Sequence, residues 1–425
     1  MSNTISQRDK QVIWHPFTHL KYASEPIHIV KGNGVYLFDD KGNKYIDAFS
    51  SWWVNLHGHA NAYIADKIHE QALQLEQVAF SNFTHTPAIT LAERLLSHLP
   101  ANQSKIFYSD NGSTSIEVAL KMALQYHLNK GEPKTKIIAL ENGYHGDTFG
   151  GMSVAARNVF NKAFQPLLFD VVHIPVPVKG KETETLNRLE DALKNNDVCA
   201  FIFEPLVQGA GGMVMYSQSV LNSVYSLCKK HNCLTIADEV MTGFGRTGKF
   251  FATDYCEQKP DIICMSKGIT GGFMPLGATS CTEEIYTAFI SDNKENTFYH
   301  GHSYTANPLA CAAANASMDL LEKNETQEQI KFISGFFSQM KNKLDTHPAI
   351  TDCRQTGTIL AIELKSNEAT SYLNHLSERI AGFYLTHGII VRPLGNVLYF
   401  LPPYCISEAD LKQIETCTDE FLKTL

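Results

Sequence analysis

The sequence predicts an α/β protein: a mostly parallel central sheet with helices on both faces, joined to a smaller α+β domain built from both ends of the chain. Three observations predict it. Between residues 105 and 266, short apolar runs alternate with stretches of helical spacing, which is the rhythm of a parallel sheet covered on both sides. Acidic residues and glycine-rich turns fall directly after several of those runs, where open parallel sheets bind ligands. Finally, 425 residues exceed one ordinary domain, so a large unit with a small companion is expected.

Each element has a local reason. Residues 27–30, 35–38 and 44–47 read as a small meander, closed by Lys31-Gly32-Asn33-Gly34 and Asp39-Asp40-Lys41-Gly42-Asn43, the chemistry of tight turns. From about residue 50 the alternation begins. Residues 91–99 are helical by apolar spacing, 105–109 form a strand, and 115–128 form a helix with one apolar face. Strands follow at 136–140, 171–174, 199–204, 234–238 and 261–266. Beyond about residue 305 come a long helix at 308–323, further helices, and strands at 359–364, 389–392 and 397–400. So small a piece of sheet as the meander is not stable alone, so it is expected to pack on this last part. The expected division is residues 1–50 with 306–425 as the small domain and 51–305 as the large one.

Composition narrows the functional classes. A net charge of −8 with no Lys/Arg run disfavours nucleic acid and anionic membranes, which need a basic face. No stretch approaches 18 apolar residues, so no membrane span is expected. The ten cysteines run from Cys199 to Cys417 with no Cys-x-x-Cys pair, a pattern suited to a reducing compartment. The N-terminal ten residues hold no apolar core of signal-peptide length, and the cytoplasm is the expected location.

Chemistry concentrates at the strand ends. Lys267 lies in Ser266-Lys267-Gly268-Ile269-Thr270-Gly271-Gly272 after an apolar strand, and Asp238 ends the run Thr235-Ile236-Ala237-Asp238. An amine able to form a Schiff base, with a carboxylate to keep a pyridine nitrogen protonated, is what pyridoxal phosphate chemistry asks of a protein. Asp110-Asn111-Gly112-Ser113-Thr114-Ser115 joins a strand to a helix and reads as a phosphate cradle, or as an ordinary helix cap. Asn142-Gly143-Tyr144-His145-Gly146-Asp147 offers a ring to cover a flat cofactor, and Glu204 again stands at a strand end. His300-Gly301-His302-Ser303 and His57-Gly58-His59 lack the further ligands a metal site would need. Ser303 suits a phosphate contact better. Trp14 and the Ser51-Trp52-Trp53 run hold all three tryptophans, either core packing or the wall of a flat-substrate site. A dinucleotide fold is excluded, since no Gly-x-Gly-x-x-Gly follows the first strand.

Taken together, Asn111-Gly112-Ser113, Gly143-Tyr144-His145-Gly146, Glu204-Pro205, Asp238-Glu239-Val240, Gly243-Phe244-Gly245-Arg246-Thr247-Gly248, Ser266-Lys267-Gly268 and Asn307-Pro308-Leu309-Ala310 resemble the class III pyridoxal-phosphate aminotransferases, of fold type I. The resemblance runs from about residue 14 to the C-terminus. Trp14-His15-Pro16-Phe17-Thr18, Ser51-Trp52-Trp53 and Arg392-Pro393-Leu394-Gly395-Asn396-Val397-Leu398-Tyr399 narrow it to the adenosylmethionine–8-amino-7-oxononanoate aminotransferases of biotin synthesis.

The resemblance implies a role for each matching residue. Lys267, Asp238 and Tyr144 would form the catalytic set. Gly112, Ser113, Tyr144, Glu204, Asp238 and Lys267 would hold pyridoxal 5′-phosphate. His302 and Ser303 would approach it from the neighbouring subunit of a homodimer, with the active site at the interface. Phe17, Trp52, Trp53, Tyr144, Asp147, Arg246, Lys267, Gly301, Arg392 and Tyr399 would meet the small-molecule substrates, 8-amino-7-oxononanoate and S-adenosylmethionine. Some relatives use lysine as amino donor instead.

Departures from relatives carry information. Ornithine-type enzymes have an acid where Ala210 stands, an arginine where Tyr399 stands and a glutamine where Met241 stands, so their carboxylate switch is absent. Phe17 replaces a frequent tyrosine, and His302-Ser303 replaces a Pro-Thr pair. The competing readings on the same scaffold are an ω-amine aminotransferase and an aminomutase. A non-catalytic pyridoxal-phosphate-binding regulator is the remaining one, though such proteins carry a DNA-binding module and only 13 residues precede Trp14.

Overall fold

The computed structural model describes residues 4–368 and 370–425; the first three residues of the polar N-terminal run lie outside them. After a first helix, Ile5–Val12, come β1 (Ile29–Asn33), β2 (Tyr36–Asp39) and β3 (Lys44–Asp47), then β4 (Gln103–Ser109), β5 (Lys136–Leu140), β6 (Val172–Ile174) and β7 (Val198–Phe203). A short hairpin of β8 (Val207–Gln208) and β9 (Val214–Met215) precedes β10 (Leu234–Asp238), β11 (Ile262–Met265) and β12 (Gly277–Thr282). The last strands are β13 (Ile350–Thr356), β14 (Ile359–Leu364), β15 (Ile389–Ile390) and β16 (Val397–Phe400).

The large sheet has the order β4-β12-β11-β10-β7-β5-β6. Six of its strands point one way, and β12 alone runs antiparallel between β4 and β11. Strands β7, β10 and β11 are buried along their whole length, as a sheet covered on both faces requires. Their side chains alternate between two cores. Ile138, Phe201, Phe203, Ala237, Ile263 and Met265 face one; Ile137, Ala139, Ala200, Ile202, Ile236, Ile262 and Cys264 face the other. The period of two thus appears as two hydrophobic layers.

Strand β12 is absent from the sequence reading, and its composition explains why. Gly277-Ala278-Thr279-Ser280-Cys281-Thr282 has no large apolar residue to mark a strand, yet all but the last are buried. Small side chains let neighbouring layers close in. Thr279 Oγ1 donates to the Ser115 carbonyl at 2.9 Å and Ser280 Oγ to Gln103 Oε1 at 2.7 Å. Strand β13 was likewise missed because it is polar. It is held to β14 in antiparallel register, with Arg354 bridging Asp352 and Glu363.

The meander is not isolated. β15 pairs in parallel with β3, Ile389 opposite Ile46 and Ile390 opposite Asp47, so chain ends far apart in sequence share one sheet of order β1-β2-β3-β15. β1 begins two residues later than expected from its apolar run, and β15 stops at Ile390, short of the expected residue 392, because the backbone leaves the sheet there. The helix expected at 91–99 starts earlier, at Thr86, capped by His85 with Pro in its first turn. No described helix is long and apolar enough to cross a membrane.

One glycine joins the β13–β14 hairpin to the large sheet's loops. Gly357 has φ +55°, and a Cβ there would lie 2.2 Å from the Thr247 carbonyl carbon and 2.4 Å from the Gly248 nitrogen. The neighbouring Thr358 N–H donates to the Arg246 carbonyl at 2.9 Å. Replacing Gly357 by alanine meets both a disfavoured φ and immobile backbone, and is expected to cost about 3 kcal/mol. The measurement is the urea midpoint, which should fall with an unchanged slope.

Candidate active site

Five strands of the large sheet deliver their carboxyl ends to one cavity of 530 Å³. β4 leads into Asp110–Ser113, β5 into Tyr144–Gly146, β7 into Glu204, β10 ends at Asp238, and β11 leads into Ser266 and Lys267. The antiparallel β12 starts at the same edge, where the Leu276 carbonyl accepts from Ser266 Oγ at 2.7 Å. The chain passes from β4 at one edge of the sheet to β5 on its far side, the kind of reversal that opens a crevice for ligand.

Lys267 lies in a 3₁₀ turn with φ +46°, a strained value for a side-chain-bearing residue. Its Nζ is 4.4 Å from the Trp53 ring centroid. Burial lowers its pKa to about 8, while the charges of Asp238 and Glu204 work against that fall. Roughly a tenth of this amine is therefore unprotonated near neutral pH, far more than of an ordinary lysine, which suits a nucleophile or base.

Asp238 is buried and fully engaged. Oδ2 accepts from His145 Nδ1 at 2.7 Å and Oδ1 from the Val240 N–H at 3.1 Å. His145, given no role of its own in the sequence analysis, is the partner of this carboxylate. Its position directly after Tyr144 was the available signal. Glu204 accepts from the Tyr144 N–H at 3.1 Å and the Gly209 N–H at 2.8 Å. Burial pushes its carboxyl up to about 7 against those donors and the charge of His145.

At the start of the helix Gly112–Asn129, Asn111 Oδ1 takes the Thr114 N–H at 2.9 Å, leaving Gly112 and Ser113 as first-turn donors at the cavity wall. First-turn N–H groups, an acid and an amine in one cavity suit a phosphate, a protonated pyridine nitrogen and an aldehyde respectively. The residues present fit pyridoxal phosphate. Among the described residues no group of three His, Cys, Asp or Glu is placed to hold a metal ion.

Phe17, Trp52, Trp53, Tyr144, Phe160 and Tyr372 make much of the remaining wall aromatic. Phe17 meets Trp52 edge-on at 5.3 Å and Phe160 at 5.9 Å. The Arg392 guanidinium carbon sits 4.1 Å from the Trp52 ring centroid, and Nη2 donates to the Tyr372 hydroxyl at 3.1 Å. Among the described residues no carboxylate lies within ion-pair range of it.

Four residues named from sequence as substrate contacts, and two named for the cofactor, do not line this cavity. Arg246 is buried, with Nη1 on the Pro402 carbonyl at 2.9 Å and Nη2 on the Asn55 carbonyl at 3.0 Å. Both of its terminal nitrogens are spent on backbone carbonyls. Tyr399 stands behind Trp53, its hydroxyl accepting from Trp53 Nε1 at 2.9 Å, so it supports the wall without forming it. Asp147 is exposed and accepts from the Tyr144 hydroxyl at 2.9 Å. Gly301, His302 and Ser303 belong to a loop outside this chain's own cavity; the Ser303 carbonyl accepts from Gln77. Phe160 and Tyr372 were missed because they come from loops without periodicity.

Comparison with known proteins agrees with this arrangement. The family described as aminotransferase class-III matches residues 19–425. Among relatives, the adenosylmethionine-8-amino-7-oxononanoate aminotransferase of Synechococcus elongatus is 47% identical over 96% of this chain and 98% of its own. That of Helicobacter pylori is 41% identical, over 98% and 97%. The crystal structure of the Methanocaldococcus jannaschii enzyme of the same name superposes with a TM-score of 0.94 at 38% identity, covering 99% and 98%. A PLP-bound amine transaminase from an uncultivated Pseudomonas species reaches 0.91 at 29% identity, covering 97% and 98%. Sequence and backbone agree along almost the whole length, and on that ground the chain belongs to the class III aminotransferase family.

Proposed function

We propose that this chain transfers an amino group from S-adenosylmethionine to 8-amino-7-oxononanoate, forming 7,8-diaminononanoate, a step of biotin synthesis, with pyridoxal 5′-phosphate as cofactor. The observation that carries the substrate reading is Arg392. Among the described residues it is a cation without an acidic partner, laid on an indole face in a cavity that also holds Lys267. A long apolar chain ending in a carboxylate complements such a cavity, and the planar guanidinium suits two-point contact. The names of the relatives support the same substrates. Ala210 at the wall leaves in place no acid that would compete for Arg392.

Bound pyridoxal phosphate supplies an aldehyde to hold the amine and a ring to accept the electron pair released at the α-carbon. Lys267 Nζ takes the α-proton of the donor in the first half-reaction. In the second it delivers a proton to C7 of the oxononanoate. Asp238, oriented by His145, would hold the proton on the ring nitrogen. Gly112 and Ser113 would bind the phosphate, and Tyr144 would flank the ring, its hydroxyl tied to Asp147. Phe17, Trp52 and Phe160 enclose the apolar chain and keep water from it.

Two copies are inferred to form the working unit. The 301–303 loop, outside its own cavity, is flanked by exposed Tyr299 and Tyr304, and in this reading it completes the partner's phosphate site. The ten free thiols fit a cytoplasmic setting.

Incubation with 8-amino-7-oxononanoate and S-adenosylmethionine should yield the diamine, and Lys267→Ala should lower the rate by at least about 1,000-fold. Absence of diamine with the wild type, or wild-type turnover by the variant, refutes the reading. Arg392→Ala should raise the KM for the oxononanoate about 10–100-fold, the size of a lost charged hydrogen bond, with little effect on cofactor affinity; separate titrations of acceptor and cofactor measure this. In cofactor-free protein, capture of pyridoxal phosphate requires the neutral amine, so its rate should rise with pH through a midpoint at about 8 and level off above it. Asp238→Asn removes a charge that favours the ammonium, so the midpoint should move to lower pH, read by stopped-flow absorbance.

A further inference from the structure

Four consecutive residues, the last two of them in the active-site wall, adopt a backbone that side chains oppose. Ser50, Ser51, Trp52 and Trp53 have φ of +55°, +46°, +71° and +73°, a left-handed turn in which Cβ crowds the following carbonyl. Glycine would take it without strain, yet none of the four is glycine. Such backbone persists only where its surroundings over-determine it.

The surroundings are a buried acid and its donors. The Asp47 side chain is fully shielded from solvent. Its Oδ1 accepts from the Phe49 N–H at 3.3 Å, and its Oδ2 from Ser51 Oγ at 2.7 Å and His59 Nε2 at 2.8 Å. Asn55 fixes the tautomer of that histidine. Asn55 Oδ1 accepts from the Gly58 N–H at 2.7 Å, which turns its amide nitrogen to His59 Nδ1 at 3.1 Å. Nδ1 is thus the acceptor, and Nε2 carries the proton donated to Asp47. On the other side, Ser50 Oγ donates to the Leu401 carbonyl at 2.6 Å.

This clamp sits where both ends of the substrate site meet. Asp47 ends β3, and the next residue's N–H donates to the Ile390 carbonyl at 3.1 Å, two residues before Arg392. The strand pair β3–β15 therefore carries both the indole of Trp52 and the guanidinium resting on it.

We propose that Asp47 and Ser51 are positioning residues for acceptor recognition: they hold the left-handed turn that sets Trp52 against Arg392. The proposal rests on the reading of Arg392 as the carboxylate anchor. Neither residue lines the cavity, so their influence passes through the turn.

The test compares Ser51→Ala with Ser51→Gly in the pyridoxal-phosphate-loaded protein. Both lose the hydroxyl, but only glycine keeps the turn without help. Ser51→Ala should raise the KM for 8-amino-7-oxononanoate about tenfold, the scale of one hydrogen bond, with kcat changed less than about threefold. It should also alter the near-ultraviolet circular dichroism of the tryptophans with no substrate present. Ser51→Gly should stay within about threefold of wild type in KM and keep the wild-type spectrum. Wild-type behaviour of Ser51→Ala in both measurements overturns the proposal, as does equal impairment of the glycine variant. If the wild type fails to aminate this acceptor, the proposed function falls, and the spectra alone decide whether the clamp holds the turn.

Discussion

Everything at the site depends on an acid and an amine kept from water at the ends of neighbouring parallel strands. Asp238 closes β10 and Lys267 follows β11, two strands in direct register with Asp238 opposite Cys264. The register places acid and amine on the same edge without any long-range adjustment. Burial then acts on both in useful ways. It weakens the ammonium, while His145 and the Val240 N–H satisfy the carboxylate. A lone carboxylate in that position would carry a desolvation penalty of several kcal/mol, so the histidine is as much a part of the chemistry as the acid that it supports.

Around this pair the protein tolerates strain. Lys267 itself and the four residues Ser50–Trp53 have positive φ, each costing roughly 1–2 kcal/mol. Both strained segments end at the cavity, and both are fastened by buried hydrogen bonds: Ser266 on Leu276 at one, Asp47 at the other. Close-packed sheets on either side supply the stability that offsets these costs.

How much of this was legible in the sequence follows from what a one-dimensional pattern can record. Asp238, Glu204, Lys267 and Gly112 were readable because a strand's end is visible as the end of an apolar run, and the topology sends those ends to one place. Side-chain direction was not readable. Arg246 and Tyr399 stand in motifs shared with relatives, but one points into backbone carbonyls and the other supports Trp53 from behind. β12 was invisible because its residues are small, and small residues give no amphipathic signal even when fully buried. Phe160 and Tyr372 reach the cavity from loops where no period exists. The pairing of β15 with β3 needed three-dimensional structure for its register, although the instability of an isolated meander already pointed to it.

The uncompensated guanidinium of Arg392 has a physiological side. A cation resting on an indole and hydrogen-bonded to a phenol, with no carboxylate in ion-pair range among the described residues, attracts any small anion that can enter, whether chloride, sulfate or free phosphate. The resting enzyme would then carry a loosely held counterion that each incoming substrate has to expel, so turnover should be sensitive to the salt around it, a sensitivity that a masking acid would have abolished.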